Sequence, residues 1–144
     1  MTARQSYHLT FARFSPSLSV RSFSASEAVN TAYRVEITAT STDASLPLSS
    51  YLNQSAAFEI RPQEGLLSEV VSAFGSASDD PPAKQWQGII TSCEKLSVSK
   101  DETVYRFVLE PRFAAMKHFQ TSRLFQHQTV PDIVAAVFKH HGFS

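Results

Sequence analysis

The sequence predicts a mainly β fold, an antiparallel barrel or sandwich finished by one C-terminal α-helix. Three observations carry that expectation. Apolar residues recur at period 2 through most of the chain, about six such runs follow at short spacing with no strand-helix rhythm, and a period of 3.6 takes over only near the C-terminus.

In the first run Tyr7, Leu9 and Phe11 alternate with His8, Thr10 and Ala12. Ser15-Pro16-Ser17 signals a turn and residues 18–23 alternate again, so these two runs are expected to pair as the first hairpin. Tyr33, Val35, Ile37 and Ala39 then alternate with Arg34, Glu36 and Thr38 in the cleanest strand of the chain, one face for a core and one for water. A one-residue slip would exchange those faces. Tyr33, Val35 and Ile37 are therefore expected to point inward with Phe58, Ile89 and Phe107, and Arg34 and Glu36 to point outward. Residues 41–53 are turn-rich with a short helical stretch at 48–52, and residues 56–61 return to an extended pattern.

Between 62 and 85 the regularity fails. Leu66, Leu67, Val70, Val71 and Phe74 have the spacing of a short amphipathic helix, and Gly75-Ser-Ala-Ser-Asp-Asp-Pro-Pro82 has the composition of a mobile loop. Residues 86–96 and 103–110 read as two long strands. The Ser-Lys-Asp-Glu composition of the intervening residues 97–102 suits a hairpin tip, so an antiparallel pair is expected.

The helix is the most sharply specified element. Thr129 is placed to cap it, Pro131 sits where a missing N–H costs nothing, and Asp132 falls in the first turn. Val130, Ile133, Val134, Val137 and Phe138 form one apolar stripe. His140 and His141 lie at the negative end of the dipole, and Gly142 terminates. So short a helix does not hold alone in water, and the stripe is expected to be buried against a partner surface. Either it folds back through residues 113–125, or it drives self-association, which is the expected outcome for this chain by itself.

A chain of 144 residues suits one domain with one core, burying roughly 70% of its unfolded surface. With 13 basic and 13 acidic residues the formal net charge is zero, and nothing in the balance draws the protein to nucleic acid or to an anionic membrane. Cys93, the single cysteine, excludes an internal disulfide and the cysteine-rich zinc sites, and points to a reducing compartment. The start MTARQSYHLTFARF lacks the pattern of a signal peptide, and no window approaches the ~20 apolar residues of a membrane span, so any export is expected to bypass the general secretory route.

The chemistry-bearing residues point away from catalysis. His140 and His141 are adjacent, about 100° apart on a helix, and cannot share a metal as i, i+4 pairs do; His8, His118 and His127 have no neighbour at ligand spacing. No metal site is expected. Cys93 lies in a strand beside Ile89 and Ile90, without the basic, partly exposed setting of a nucleophile, and reads as a structural thiol. No G-x-S-x-G, Walker loop or G-x-G-x-x-G occurs, and 4 glycines build little phosphate-cradling loop. Asp79-Asp80 and Asp101-Glu102 sit in a loop and at a hairpin tip, as solvated turn acids do. The aromatics Phe11, Tyr33, Phe58, Trp86 and Phe107 could stack single-stranded nucleic acid on a small barrel, but they fall at the apolar phase without a basic cluster, so core is the better reading. No catalytic residue, cofactor-binding residue or cofactor is expected.

The ending Ser122-Arg-Leu-Phe125-Gln126, followed by Thr129-Val-Pro131-Asp-Ile133-Val134, resembles the N-terminal region of the VgrG spike proteins of type VI secretion systems, where an S-R-x-F-Q element precedes an S/T-V-P-x-I-[IV] helix. The resemblance extends upstream through Leu18-Ser-Val20, Phe23 and Glu27-Ala28 to Tyr33-Arg-Val35-Glu-Ile37, and through Leu48-Ser-Ser-Tyr-Leu52 to Ala56-Ala-Phe58-Glu-Ile60. It also covers Trp86-Gln-Gly88-Ile-Ile90 and Tyr105-Arg-Phe107-Val-Leu109-Glu-Pro111. The chain departs from the family at 62–85, a longer insertion, at Asn53 where glycine is common, and at Gln87 where histidine is common. Asn tolerates the left-handed conformation, so the turn at Asn53 is expected to survive.

The resemblance implies a phage tail hub type of β-barrel and a structural part of a contractile injection machine, not an enzyme. Residues 1–121 would be the first hub barrel, with 62–85 as its long loop insertion, and residues 122–144 a linker and helix beginning the next segment of a longer protein. The implied partners are sister subunits in a homotrimer of the full-length protein, the hexameric Hcp tube it caps, secreted effectors and baseplate proteins, with no nucleic acid and no membrane span. The implied location is the bacterial cytoplasm during assembly, then the medium or a target cell. Two other readings stay open on the residues alone: an oligonucleotide-binding β-barrel, and a small hydrolase using Cys93 or a histidine.

Overall fold

Residues 5–62 and 84–143 are described by the structure, a computed structural model. They divide into two compact units, one running to Arg112 and one from Phe113 onward.

The first unit is a single antiparallel sheet. Its strands are β1 (Gln5–Phe11), β2 (Ser19–Ala28), β3 (Thr31–Ser41), β4 (Ser55–Pro62), β5 (Lys84–Val98) and β6 (Thr103–Glu110), laid out in the order β1-β4-β5-β6-β3-β2. The sheet curls into a half-barrel, bringing β1 and β2 at its two ends close enough for the Tyr7 and Phe23 rings to stand 5.3 Å apart. Among the described residues no hydrogen-bonded ladder joins those two strands. Side chains alone bridge that seam.

Period-2 patterning explains the core. Val35, Ile37 and Ala39 on β3 stand opposite Leu109, Phe107 and Tyr105 on β6, and all six have 0% exposure. Directly opposed residues share a face, so two matched alternations fill one layer without a gap. Phe11, Phe58 and Trp86 complete the cluster from β1, β4 and β5. The one-turn helix α1 (Leu48–Tyr51) adds Tyr51, whose ring lies 4.9 Å from Phe11 and 5.9 Å from Phe107. Burying each such aromatic contributes on the order of 1.5–3 kcal/mol. The expected turn at Asn53 is present, with φ 60°; the Asn53 N–H donates to the Ile90 carbonyl at 2.9 Å and the Ile90 N–H to the Gln54 carbonyl at 3.0 Å, pinning α1 to β5. Residues 97–102 form the expected hairpin tip, closed by the Ser99 N–H to the Glu102 carbonyl at 2.9 Å.

Two expectations are corrected. The first alternating runs do not pair with each other: β1 pairs with β4 and β2 with β3, at opposite ends of the sheet. Alternation reports which face of a strand is buried and says nothing of its neighbour: Leu9 stands opposite Phe58 and Phe23 opposite Ile37, and both keep the phase read from the sequence. Ile89 is buried but outside the core cluster, and it is Ile90, opposite Leu109, that joins Trp86 from β5 in the core. The reason is period 2: Trp86 is in the core, Gly88 and Ile90 follow it on the same face, and Ile89 takes the other, the register shift coming only after Ile90. A Cβ on Gly88 would stand 2.1 Å from the Glu110 carbonyl oxygen, so β5 passes β6 too closely there for any side chain. The helix expected from Leu66 to Phe74 and the loop at 75–82 lie outside the described residues.

A 3-10 helix, Arg112–His118, which the apolar pattern did not foretell, begins at the last residue of the first unit, and the second unit carries helix α2, Val130–His140. The start of α2 is a complete capping box: the Asp132 N–H donates to Thr129 Oγ1 at 3.4 Å, and the Thr129 N–H donates to Asp132 Oδ2 at 3.2 Å. Its end is a Schellman motif. The Phe143 N–H reaches back to the Phe138 carbonyl at 3.0 Å and the Gly142 N–H to the Lys139 carbonyl at 3.1 Å, with Gly142 at φ 75° and the Phe138 and Phe143 rings 5.6 Å apart. Both ends match the sequence reading. Within this chain no residue of α2 is fully buried: Ile133 and Val137 are half-buried, and Val130, Val134 and Phe138 are exposed, Val130 to 74%. Helical periodicity fixes which side of a helix is apolar, and not that anything covers it.

Candidate functional site

Cys93 sits opposite Phe107 on β5, half-buried, and burial, with the Glu94 carboxylate beside it, pushes its thiol up to about 11. At neutral pH it is a thiol and not a thiolate, and a thiol is a poor nucleophile. The histidines are scattered. His8 stands on exposed β1 with Nε2 3.3 Å from Ser6 Oγ, and the His140 and His141 rings meet edge to face at 5.2 Å. Among the described residues no three His, Cys, Asp or Glu side chains gather where they could hold a metal.

The carboxylates serve structure. Asp101 and Glu102 lie at the β5–β6 tip, where the Glu102 N–H donates to Ser99 Oγ at 3.1 Å. Asp79 and Asp80 lie outside the described residues. The buried acid is Glu110 at the end of β6, which takes the Thr91 hydroxyl at 2.5 Å and faces the Arg34 guanidinium at 3.7 Å. Nothing in the local pattern marks it, since Glu110 stands at the polar phase of β6, beside Leu109, which enters the core.

The larger cleft, about 440 Å³, opens widely to solvent across β1, β4 and β5, floored by Phe11, Ala56, Ala57 and Ile89 with Arg112 at its edge; no carboxylate, histidine or cysteine lines it. The smaller, about 290 Å³, is bordered by Ser17, Thr40, Thr42 and Glu102. Neither brings an acid, a base and a nucleophile together. The aromatics weighed as nucleobase platforms are used internally: Phe11, Phe58, Trp86 and Phe107 are buried, and Tyr33 packs against them.

Surfaces remain. In the first unit β1 and β2 leave outer backbone edges unpaired among the described residues, and Leu96 and Val98 stand exposed beside the hairpin tip. In the second unit Phe119, Leu124 and Val130 are more than half exposed.

Comparison with known proteins agrees with that geometry. The family model for the phage tail baseplate hub (GPD) matches residues 26–144. The type VI secretion system spike protein VgrG4b of Pseudomonas aeruginosa is 30% identical over 125 residues, spanning 87% of this chain and 13% of that protein. VgrG1b of the same organism is 31% identical over 83 residues, 58% of this chain and 11% of that protein. Among solved structures, the Escherichia coli c3393 protein superposes with a TM-score of 0.71 at 27% identity, over 92% of this chain and 31% of that one. It is described as a type VI secretion component with structural similarity to the T4 bacteriophage tail proteins gp27 and gp5. The chain thus spans a minor part of the length of each relative.

Proposed function

Because this chain belongs to the phage tail baseplate hub family, we propose that it is the first barrel segment of the hub of a type VI secretion spike, a structural part of a contractile injection machine. The observation that carries the reading is the superposition on the Escherichia coli type VI component over 92% of the chain, which leaves little of the described fold outside the hub likeness. The family is a structural one, and the Cys93 thiol, held up to about 11, supports a role without nucleophilic chemistry.

The finer proposal is that residues 1–121 form the barrel, 62–85 its loop insertion, and 122–144 the lead into a following segment. In the full-length protein three copies, each contributing two barrels, would make a ring of six that matches the symmetry of the hexameric Hcp tube and caps it. Effectors and baseplate proteins would be further partners, with assembly in the cytoplasm and export through the machine itself. Among the described residues no helix is long and apolar enough to cross a membrane.

The test is assembly. The full-length protein, mixed with purified Hcp rings and followed by light scattering and negative-stain microscopy, is expected to form trimers seated on ring ends. A monomer that ignores the rings, or that instead binds single-stranded oligonucleotides with a steep salt dependence, would overturn the proposal.

A further inference from the structure

The half-barrel has a seam between β1 and β2, and one carboxylate is built to hold it. β2 is a terminal strand, joined to the sheet through β3 alone among the described ladders. Its N-terminal half is anchored by Phe23, whose ring lies 5.3 Å from Tyr7, 5.0 Å from Phe58 and 6.3 Å from Trp86. Its C-terminal half, from Ser24 to Ala28, carries only small side chains apart from Glu27, and all five residues are exposed.

Glu27 is not placed as a regular strand residue. The register of β2 against β3 shifts there: Ser26 stands opposite Arg34 and Ala28 opposite Thr31, so Glu27 faces both Ala32 and Tyr33. Such a bulge re-aims the side chains on it. Both polar groups at this bulge reach β5, although β5 is three places away from β2 in the sheet. Tyr33 donates its hydroxyl to the Gln87 carbonyl. Glu27 accepts the Trp86 indole N–H on Oε1 and the Lys84 ammonium on Oε2 at 3.1 Å, while the Lys84 Nζ lies 4.6 Å from the Trp86 ring centroid. The contacts cross the mouth of the half-barrel instead of running along the sheet.

We propose that Glu27 is a latch: with Lys84 and Trp86 it holds the C-terminal half of β2 and the β2–β3 turn against β5, and its release opens the seam as a local, reversible motion that uncovers Trp86 while the β3–β6 core stays intact. The charged group facing the Glu27 carboxylate is Lys84 from β5, and the titratable neighbour is the neutral Tyr33 phenol from β3, its pKa raised by its burial and then by Glu27. The hydrogen bond from Lys84 and then that from Trp86 hold the Glu27 carboxyl below the usual carboxylate range. The latch is therefore intact above the ordinary glutamate pKa and lost as pH falls through the depressed one.

Trp86 is the only tryptophan of the chain, so the motion has its own reporter. The full chain is compared with Glu27→Gln, and with Glu36→Gln, a control carboxylate paired to Arg34 on the outer face. Acrylamide quenching of Trp86 and amide hydrogen exchange are read together at neutral pH. In E27Q the quenching constant is expected to rise severalfold and the amides of Ser24 to Ala28 to exchange at least about tenfold faster, with β6 amides unchanged and E36Q like wild type. Wild-type behaviour of E27Q overturns the proposal. So does acceleration of β6 as large as that of β2, since that is global unfolding. Should E27Q fail to fold, acid titration of the unaltered chain decides: Trp86 exposure that precedes loss of far-UV circular dichroism supports the latch, and coincident transitions refute it.

Discussion

The β3–β6 pair and helix α2 are the two regions whose local patterns are cleanest, and the structure treats them in opposite ways. β3 and β6 place six fully buried side chains opposite one another. α2 has a complete cap at each end and an unbroken apolar stripe, and buries none of its residues. The difference separates two kinds of information. Caps are satisfied by groups within a few residues, so α2 carries everything its ends require. Burial is satisfied only by a surface that something else supplies.

The largest effect should come from breaking the buried side of this comparison. Val35→Asp puts a carboxyl with no partner at a fully buried position, and is expected to cost upwards of about 4 kcal/mol and unfold the first unit, seen as loss of the cooperative thermal transition. Glu36→Lys, one residue along and paired with Arg34 on the exposed face, should cost under about 1 kcal/mol. Similar losses for both would mean that strand phase does not govern burial here. Next in size is Gly88→Ala. Its Cβ would meet the backbone of Glu110, which cannot swing aside as a side chain can, so about 3 kcal/mol of destabilisation is expected, read as a lowered midpoint in urea. A midpoint equal to wild type would show that β5 and β6 can part freely.

How much of this was legible follows from the same distinction. The existence of the strands and of α2, the caps at Thr129 and Gly142, the turn at Asn53 and the hairpin at 97–102 all rest on residues close in sequence, and all are present. Non-local pairing is not legible: Ser15-Pro16-Ser17 invites a hairpin between β1 and β2, yet Leu9 pairs with Phe58 on β4 and Phe23 with Ile37 on β3. Ile89 reads as the core residue in place of Ile90 because Gly88, between Trp86 and Ile90 on the inward face, carries no side chain to mark that face, and the close passage that keeps it bare involves the backbone of Glu110, more than twenty residues later. The family resemblance was legible in short motifs such as Ser122-Arg-Leu-Phe125-Gln126, and the hub match bears it out. The Glu27 cluster was invisible. A buried tryptophan implies an acceptor for its N–H, but only a register shift in β2 and β3 brings Glu27 to it.

Smaller effects probe the locally satisfied side. Thr129→Ala removes one half of the capping box and should destabilise α2 by about 1 kcal/mol, visible as faster amide exchange from Val130 to Val134 with the sheet unaffected. Loss of protection in β6 as well would show that the units do not respond separately. Acid should act on α2 in the same direction. The Thr129 hydroxyl, then its N–H, hold the Asp132 carboxyl below its ordinary range, so the cap contributes fully above that range and is lost as pH falls through the depressed value. Helix protection that does not change on acidification would remove the carboxylate from the account.

The smallest effect is expected at the centre of the stripe. Val134 is 45% exposed, so Val134→Glu gives up little burial, and glutamate is a good helix former with its charge outside the first turn. Thermal stability should stay within about 0.5 kcal/mol of wild type. What the substitution should change is association. If the uncovered stripe is a contact surface, light scattering of the wild-type chain will rise with concentration and that of V134E will not. A wild-type chain that scatters as a monomer at every concentration, with V134E equally stable, would mean that the stripe is not a contact surface between copies of this chain. Stability lost on the scale of Val35→Asp would mean the reverse of what α2 shows: the helix would then be held by its apolar face, and the contrast between the two regions would disappear.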